Sequence, residues 1–253
     1  MRRLAISTWS LDGLLQSGVP LLSVPAQMAQ HGITTLEMCH FHLPTTESTY
    51  VQAFRQALHD AGVELYSVLI DTGDIVAPDP NKRAADIQTI HDWIGIASDL
   101  GASAVRIDAG LQPPAPEVIE QSARQLRAFA QDAERRGVRV FTENWHTTSQ
   151  EPTALVEILE RCGRQVGLCA DTGNAEATAD KYATLAQLLP YATSVHFKAR
   201  YGSDGAIVQD DLQRCTQLIQ QAGFDGVITL IYAGKQQEWA EIGRLREALQ
   251  PLV

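Results

Sequence analysis

Short apolar segments alternate with longer amphipathic stretches along the whole sequence. Eight apolar segments are predicted β-strands, because each is short, rich in β-branched residues and bounded by turn signals. They cover residues 4–9, 33–38, 63–70, 104–107, 138–141, 166–170, 194–197 and 227–232. The stretches between them are predicted helices, and a glycine such as Gly101 or Gly137 ends most of them just before the next strand.

The order of these elements predicts the fold. Strands that are apolar throughout, rather than at every second position, are typical of a parallel sheet covered on both faces. Eight strand–helix units within 253 residues fit a closed (β/α)₈ barrel, the TIM barrel, better than an open sheet. No linker-like segment divides the sequence, so we predict a single TIM-barrel domain over residues 1–253. The first strand is not followed by a Gly-x-Gly-x-x-Gly motif, which disfavours a dinucleotide-binding fold.

Composition disfavours some partners and indicates a compartment. The net charge of −10 and the pI near 5.1 disfavour nucleic acids and anionic membranes as partners. The four cysteines show no C-x-x-C spacing, which is typical of free thiols in a reducing compartment. The sequence shows no signal peptide and no apolar span of membrane length, so we expect a cytoplasmic protein. A homo-oligomer is compatible with these features.

Residues that can bind a divalent cation stand at the ends of three consecutive predicted strands. Glu143 follows strand five, Asp171 follows strand six, and His196 lies on strand seven. TIM barrels carry their catalytic groups at the carboxyl ends of the strands, and alternate side chains along a strand share a face. The three side chains are therefore expected to converge near the barrel axis. Two carboxylates and an imidazole suit one divalent metal ion, such as Mn²⁺, Mg²⁺, Co²⁺ or Zn²⁺.

These motifs resemble those of the xylose-isomerase-like barrel superfamily of sugar and sugar-phosphate isomerases and epimerases. The matching segments are Glu143-Asn144 with His146, Asp171-Thr172-Gly173-Asn174, His196-Phe197-Lys198, Leu100-Gly101-Ala102 and Val105-Arg106. In that family a Glu, an Asp, a His and a second Glu on the last strand hold one metal ion. The metal ion polarises the substrate, and the glutamates move protons through an ene-diolate. The resemblance implies that Glu143, Asp171 and His196 are metal ligands and that Glu143 is also a catalytic acid/base.

The last strand departs from the family pattern. Ile231 stands where the second glutamate is expected, and isoleucine neither binds a metal ion nor accepts a proton. Either three protein ligands and water hold the metal ion, or the metal ion is lost. Lys198 shares a strand face with His196, so its ammonium group could neutralise a carboxylate in place of a cation or contact a substrate oxygen. Lys198 is therefore a second candidate catalytic residue.

Five further residues are candidates for substrate binding. Glu37 and Arg106 match polar positions that line the pocket in the family, and an ion pair in the barrel mouth would explain them equally well. His146 and Trp145 follow strand five and are interpreted as a substrate contact and an apolar wall, with a loop or packing role as the alternative. Asn174 is expected to take the place of a pocket histidine found in some relatives.

Three functions fit this combination of residues. The first is an isomerase or epimerase that acts on a small polyhydroxylated carbonyl compound by metal-assisted proton transfer at the carbon alpha to the carbonyl. The second is a lyase resembling inosose dehydratase, since β-elimination needs only one base and the second carboxylate is missing. The third is a sugar-binding barrel that has lost its metal ion and its chemistry, an interpretation that rests on Ile231.

Overall fold

A closed barrel of parallel strands forms the centre of the molecule. The structure is a computed structural model that describes residues 2–252. The strands are β1 (Arg3–Ser7), β2 (Thr35–Cys39), β3 (Glu64–Ile70), β4 (Ala104–Ile107), β5 (Arg139–Glu143), β6 (Val166–Asp171), β7 (Ala192–Lys198) and β8 (Val227–Ile231). Each pairs with the next in sequence, and β8 pairs with β1. The predicted (β/α)₈ barrel is confirmed, although the predicted domain limits, residues 1 and 253, lie outside the described residues.

Helices surround the barrel. Those within residues 2–252 are α1 (Asp12–Gln16), α2 (Val24–Gln30), α3 (Ser48–Ala61), α4 (Pro80–Leu100), α5 (Pro116–Glu134), α6 (His146–Ser149), α7 (Pro152–Cys162), α8 (Lys181–Leu188), α9 (Gln209–Gln221) and α10 (Glu238–Leu249). No helix in this described part combines the length and apolar character needed to cross a membrane. The cytoplasmic location expected from the sequence stays a prediction.

The ends of α4 show how the sequence sets local structure. Asp79 precedes the helix, and its side chain accepts hydrogen bonds from the backbone N–H groups of Asn81 at 2.8 Å and Lys82 at 3.4 Å. Pro80 occupies the first turn, where no backbone donor is needed. The helix ends at Gly101, whose φ of 80° is a left-handed conformation that glycine adopts without strain. The predicted glycine stop signal acts here as expected.

The inside of the barrel is layered. Ala5, Tyr66, Ala104, Phe141, Cys169 and Val227 form a compact apolar cluster. Glu143 lies two residues beyond Phe141 on β5 and therefore points to the same side of the strand. The register pairs Glu143 with Cys169 and Asp171 with His196. A polar layer thus lies next to the apolar cluster, toward the carboxyl ends of the strands.

Only β4 has the predicted limits, and the other seven strands differ from the prediction by one or two residues at one or both ends. Three of these differences affect the site. β1 ends at Ser7 instead of residue 9, because the Ser7 hydroxyl accepts a hydrogen bond from the Trp9 N–H at 3.1 Å and begins a 3₁₀ helix at Thr8–Leu11. β5 and β6 extend further than predicted, so Glu143 and Asp171 are their last residues and not loop residues. Strand geometry therefore sets the direction in which both side chains leave the backbone.

Candidate active site

A cavity of about 150 Å³ opens at the carboxyl ends of the strands. Its lining residues come from all eight strands and the loops after them, and they are Ser7, Trp9, Cys39, Leu69, Asp71, Arg106, Glu143, Trp145, Asp171, Asn174, His196, Lys198 and Ile231. Seven of the nine site residues singled out in the sequence line this cavity. The other two do not line it: Glu37 lies behind His196, and His146 lies beside the cavity wall.

The two carboxylates and the imidazole expected to bind a metal ion converge. His196 Nδ1 lies 3.5 Å from Glu143 Oε1 and 3.7 Å from Asp171 Oδ2. The three residues come from adjacent strands, and the register places Asp171 directly beside His196. All three side chains are buried. Adjacent strand ends therefore bring one nitrogen donor and two oxygen donors together.

The turn after β6 holds the Asp171 carboxylate in one orientation. Asp171 Oδ1 accepts hydrogen bonds from the backbone N–H groups of Gly173 at 2.6 Å and Asn174 at 2.7 Å. The Asn144 side chain bonds both backbone groups of Asp171, accepting from its N–H at 2.7 Å and donating to its C=O at 3.0 Å. The Asp-Thr-Gly-Asn motif thus occupies one oxygen of Asp171 and leaves Oδ2 toward His196. The Asn174 amide also donates to Glu143 Oε1 at 2.9 Å.

Glu37 contacts the other side of His196. Its Oε2 lies 2.7 Å from His196 Nε2, and its Oε1 accepts a hydrogen bond from Ser67 Oγ at 2.9 Å. Glu37 is fully buried behind His196 and does not line the cavity. The contact with substrate expected for Glu37 stays a prediction, and the geometry instead points to a role through His196.

Arg106 lies among three carboxylates. Its Nε is 3.0 Å from Glu143 Oε2, one terminal nitrogen is 2.5 Å from Asp108 Oδ1, and the other contacts Asp71. The guanidinium also lies over the Trp145 ring, 5.1 Å from its centroid. Burial disfavours the charge of Arg106, but the three carboxylates raise its pKa well above the usual value. Arg106 therefore both lines the cavity and forms the ion pairs considered as its alternative role.

Asp71 and Asp108 belong to this network, although the sequence analysis did not single them out. Asp71 directly follows the last residue of β3, and Asp108 directly follows the last residue of β4. The signal that could have found them is the one used for Glu143, an acidic residue at the carboxyl end of an apolar strand. Applied to all eight strands, it would have placed two more carboxylates at the barrel mouth.

The charges of the inner cluster stabilise one another. Burial disfavours the charged form of His196, but the neighbouring carboxylates raise its pKa well above the usual value. Burial would raise the pKa of Glu37, yet the charge and hydrogen bond of His196 lower it overall. The pKa of Asp171 is lowered against its burial by the same imidazole. Glu37 and Asp171 are therefore ionised at neutral pH, and ionised carboxylates are the form that binds metal ions.

Asp108 and His146 form a pair at the edge of the cluster. Burial raises the pKa of Asp108 to about 7, and the attraction of Arg106 only partly opposes this shift. His146 Nε2 lies 3.5 Å from Asp108 Oδ2, and its ring stacks on Trp145 with the ring centroids 3.9 Å apart. Burial and the charge of Arg106 lower the pKa of His146. His146 stands beside the cavity wall, so its contact with substrate stays a prediction.

Lys198 extends into the cavity from the end of β7. Within residues 2–252 its Nζ forms no hydrogen bond or ion pair, so the ammonium group is available to a ligand. The aliphatic stem of Lys198 lies across Gly173, where an added Cβ would come within 2.4 Å of Lys198 Cδ. Glycine at position 173 therefore permits the close approach that directs Lys198 toward the cavity.

The distances from His196 Nδ1 to the two carboxylates approach those of a divalent cation site, but within residues 2–252 only Glu143, Cys169 and His196 have donor atoms that all lie within 4.8 Å of one another. Donor atoms bound to one small cation at roughly 2.1 Å lie about 3 to 3.5 Å apart, which is close to the spacings around His196 Nδ1. Ile231 lines the cavity at the end of β8 and offers no donor. The Cys169 sulfur lies within 4.8 Å of donor atoms of Glu143 and His196, but burial raises its pKa to about 11, so the thiol stays protonated. Three ligands with open positions are typical of catalytic metal sites.

Fold and site together define a (β/α)₈ barrel whose cavity brings Glu143, Asp171 and His196 close together. The chain belongs to the xylose isomerase-like TIM barrel family, whose model matches residues 25–251. The match covers β2 to β8 and therefore includes every residue of the donor set. The family membership expected from the motifs is confirmed.

Known proteins similar to the chain include several enzymes. A curated relative from Streptomyces coelicolor, named "Putative hydroxypyruvate isomerase", is 27% identical over 190 residues, which are 67% of this chain and 66% of that protein. A solved structure of L-ribulose 3-epimerase matches with a TM-score of 0.80 at 16% identity, covering 100% of this chain and 96% of that chain. The probable 3-DHS dehydratase of Bacillus anthracis matches with a TM-score of 0.76 at 14% identity, covering 98% of both chains. At these identities the two structures show the shared fold alone. The three names describe an isomerase, an epimerase and a dehydratase, which are activities of those proteins.

Proposed function

We propose that the protein is a metal-dependent isomerase or epimerase of a small sugar or sugar phosphate. The observation that supports this most directly is the convergence of Glu143 and Asp171 on His196 Nδ1, at 3.5 and 3.7 Å. A divalent cation held by these three residues would polarise the substrate carbonyl and offset the negative charge of an ene-diolate. The cavity of about 150 Å³ suits a small substrate, since sites for drug-sized ligands usually exceed roughly 300 Å³.

Glu143 is the proton-transfer group in this proposal. Its Oε1 accepts a hydrogen bond from Asn174, and its Oε2 faces Arg106, so both oxygens are held at the cavity surface. The carboxylate removes the proton from the carbon next to the carbonyl, and the electron pair of the C–H bond shifts to give the ene-diolate. Delivery of the proton to the former carbonyl carbon, together with transfer of the α-hydroxyl proton to the former carbonyl oxygen, produces the isomer. The ammonium group of Lys198 donates a hydrogen bond to the substrate oxygen that becomes negative.

A lyase is the second candidate, and Ile231 is the observation that favours it. Epimerisation with one base on each face of the substrate requires two proton-transfer groups, and β8 supplies none at its carboxyl end. In a β-elimination, Glu143 alone removes the proton alpha to the carbonyl, and the β-hydroxyl group leaves as water after protonation. The fold shared with a named dehydratase is compatible with this reaction.

Isotope exchange distinguishes these functions. The protein supplied with Mn²⁺ is incubated in D₂O with hydroxypyruvate and a panel of ketoses, and the products are followed by NMR and mass spectrometry. An isomerase or epimerase incorporates deuterium at the carbon alpha to the carbonyl without losing mass, whereas a lyase releases one water per substrate molecule. Glu143→Gln is expected to slow exchange by about 10² to 10⁴-fold. Glu157→Gln, an exposed change on α7 far from the cavity, is the control.

The same measurement can contradict the proposal. Exchange that continues at the wild-type rate in Glu143→Gln would assign the proton transfer to another group. Binding of a ketose without exchange or water loss in the wild-type protein would support the sugar-binding barrel instead.

A further inference from the structure

Glu37 is a fully buried carboxylate that the proposed proton transfer does not use. It stands on β2, three strands away from His196 on β7 around the closed barrel. An ionised carboxylate without partners is strongly disfavoured in a protein interior. Both oxygens of Glu37 have partners, His196 Nε2 at 2.7 Å and Ser67 Oγ at 2.9 Å. The contact between Glu37 and His196 therefore crosses the interior of the barrel.

This contact decides which ring nitrogen of His196 faces the cavity. Because Glu37 accepts the hydrogen bond of Nε2, the nitrogen turned toward Glu143 and Asp171 is Nδ1. A histidine that binds a metal ion through one nitrogen carries its proton on the other, where an acceptor fixes the ring. Glu37 provides that acceptor at hydrogen-bond distance, on the side of the imidazole away from the cavity.

We propose that Glu37 is a positioning residue for His196, because its carboxylate holds the ring nitrogen that faces away from the cavity. The inference rests on the proposed metal-dependent function. A carboxylate behind a ligand histidine orients the ring and makes the nitrogen that faces the cation more basic, so its charge acts on the metal ion through the imidazole.

Two other roles for Glu37 fit the geometry less well. A substrate contact requires a carboxylate exposed to the cavity, and Glu37 is 0% exposed and hidden behind His196. A purely structural ion pair would join β2 to β7, yet buried ion pairs often contribute no more stability than apolar residues of similar size. If Glu37 had only a structural role, its replacement would lower the free energy of unfolding and leave the affinity for the metal ion unchanged. Both quantities are therefore measured on the same variants.

Calorimetric titration of the full chain with Mn²⁺ tests the inference. Glu37→Gln keeps the size of the side chain and removes its charge, and it is expected to weaken Mn²⁺ binding by about 10- to 100-fold. Ser67→Ala is the matched control, because it removes the other hydrogen bond of Glu37 and leaves the charge. It is expected to change the affinity much less. Thermal melts of the same variants without metal report any loss of folding.

A spectroscopic readout separates this inference from the proposed function. In metal-free protein with ¹⁵N-labelled histidine, the His196 Nε2–H resonance is expected to shift in Glu37→Gln and to stay in place in Ser67→Ala. Glu37→Asp, whose shorter side chain cannot keep the 2.7 Å contact, replaces Glu37→Gln if that variant does not fold. Wild-type Mn²⁺ affinity in Glu37→Gln overturns the inference and leaves the proposed function intact. A wild-type protein that binds no Mn²⁺ overturns both.

Discussion

Arg106 has more negative charge around it than one guanidinium can neutralise. It contacts the carboxylates of Glu143, Asp71 and Asp108, all at the mouth of the barrel. Adding a further negative charge to such a group is unfavourable, so one carboxyl retains its proton at higher pH than usual. Asp108 is that group, because burial raises its pKa to about 7 and the charges of Asp71 and Glu143 add to the shift. The balance of charge in the site therefore changes near neutral pH.

The first prediction concerns the pH dependence of stability. In the unfolded chain Asp108 loses its proton near pH 4, whereas in the folded protein it keeps the proton up to about pH 7. The folded state thus binds more protons between these values, and the free energy of unfolding falls as pH rises, by up to about 1.4 kcal/mol per pH unit. Asp108→Asn cannot titrate and should lack this component of the slope.

Urea unfolding of both proteins between pH 4.5 and 8 measures the difference, with the pH range chosen from the usual carboxyl pKa of roughly 4. The expected result is a wild-type curve that declines relative to Asp108→Asn up to about pH 7 and then runs parallel to it. The exposed Asp99→Asn should follow the wild-type curve throughout. Parallel curves for Asp108→Asn over the whole range would show that Asp108 titrates normally.

At the scale of the elements, the sequence predicted the strands well because each is a continuous apolar run buried on both faces. It predicted their ends less well, because polar residues such as Glu143 and Asp171 belong to the strands they terminate. The 3₁₀ helix at Thr8–Leu11 could not be read from apolar spacing either, since it begins with one side-chain hydrogen bond from Ser7. The hydrophobic pattern of the sequence predicts the buried part of a strand or helix, whereas hydrogen bonds determine its first and last residues.

A second prediction addresses the packing of α8 against α9. Lys181, at the start of α8, donates to both carboxylate oxygens of Asp211 on α9, at 2.7 and 2.9 Å. Lys181 and Asp211 are both buried, so Lys181→Met leaves a buried carboxylate without its cation. We expect a loss of about 3 kcal/mol in the free energy of unfolding. Urea unfolding with an unchanged m-value would measure it.

The control for this change is Lys82→Met, which breaks an exposed ion pair with Asp86 on α4 and is expected to have little effect. A loss in Lys181→Met no larger than in Lys82→Met would show that Tyr182, which also donates to Asp211, satisfies the carboxylate by itself.

At the scale of the whole molecule, contacts within the site divide into two kinds. Glu143, Asp171 and His196 come from consecutive strands, so their convergence follows from the order of the strands and could be predicted. The contacts of Glu37 with His196 and of Asp71 with Arg106 depend on barrel register and on the reach of individual side chains. The sequence therefore predicted which residues lie at the mouth of the barrel, but not that Glu37 lies behind an imidazole.

A third prediction links the donor set to the stability of the entire barrel. A cation that binds only the folded protein raises the free energy of unfolding by RT ln(1 + [M]/Kd), which is about 2.7 kcal/mol at a hundredfold excess over Kd. Above Kd, the unfolding free energy should rise linearly with ln[Mn²⁺], with a slope of about 0.6 kcal/mol for one ion. Urea unfolding in EDTA and in graded Mn²⁺ measures this slope. Asp171→Asn should move the start of this rise to a higher Mn²⁺ concentration, because the variant lacks one of the two carboxylates near His196 Nδ1 and should bind the ion more weakly. Glu176→Gln removes an acidic group outside the cavity and should keep the wild-type dependence on Mn²⁺. A slope near zero in the wild type would favour the sugar-binding barrel without a metal ion. A rise that starts at the wild-type Mn²⁺ concentration in Asp171→Asn would place the cation elsewhere.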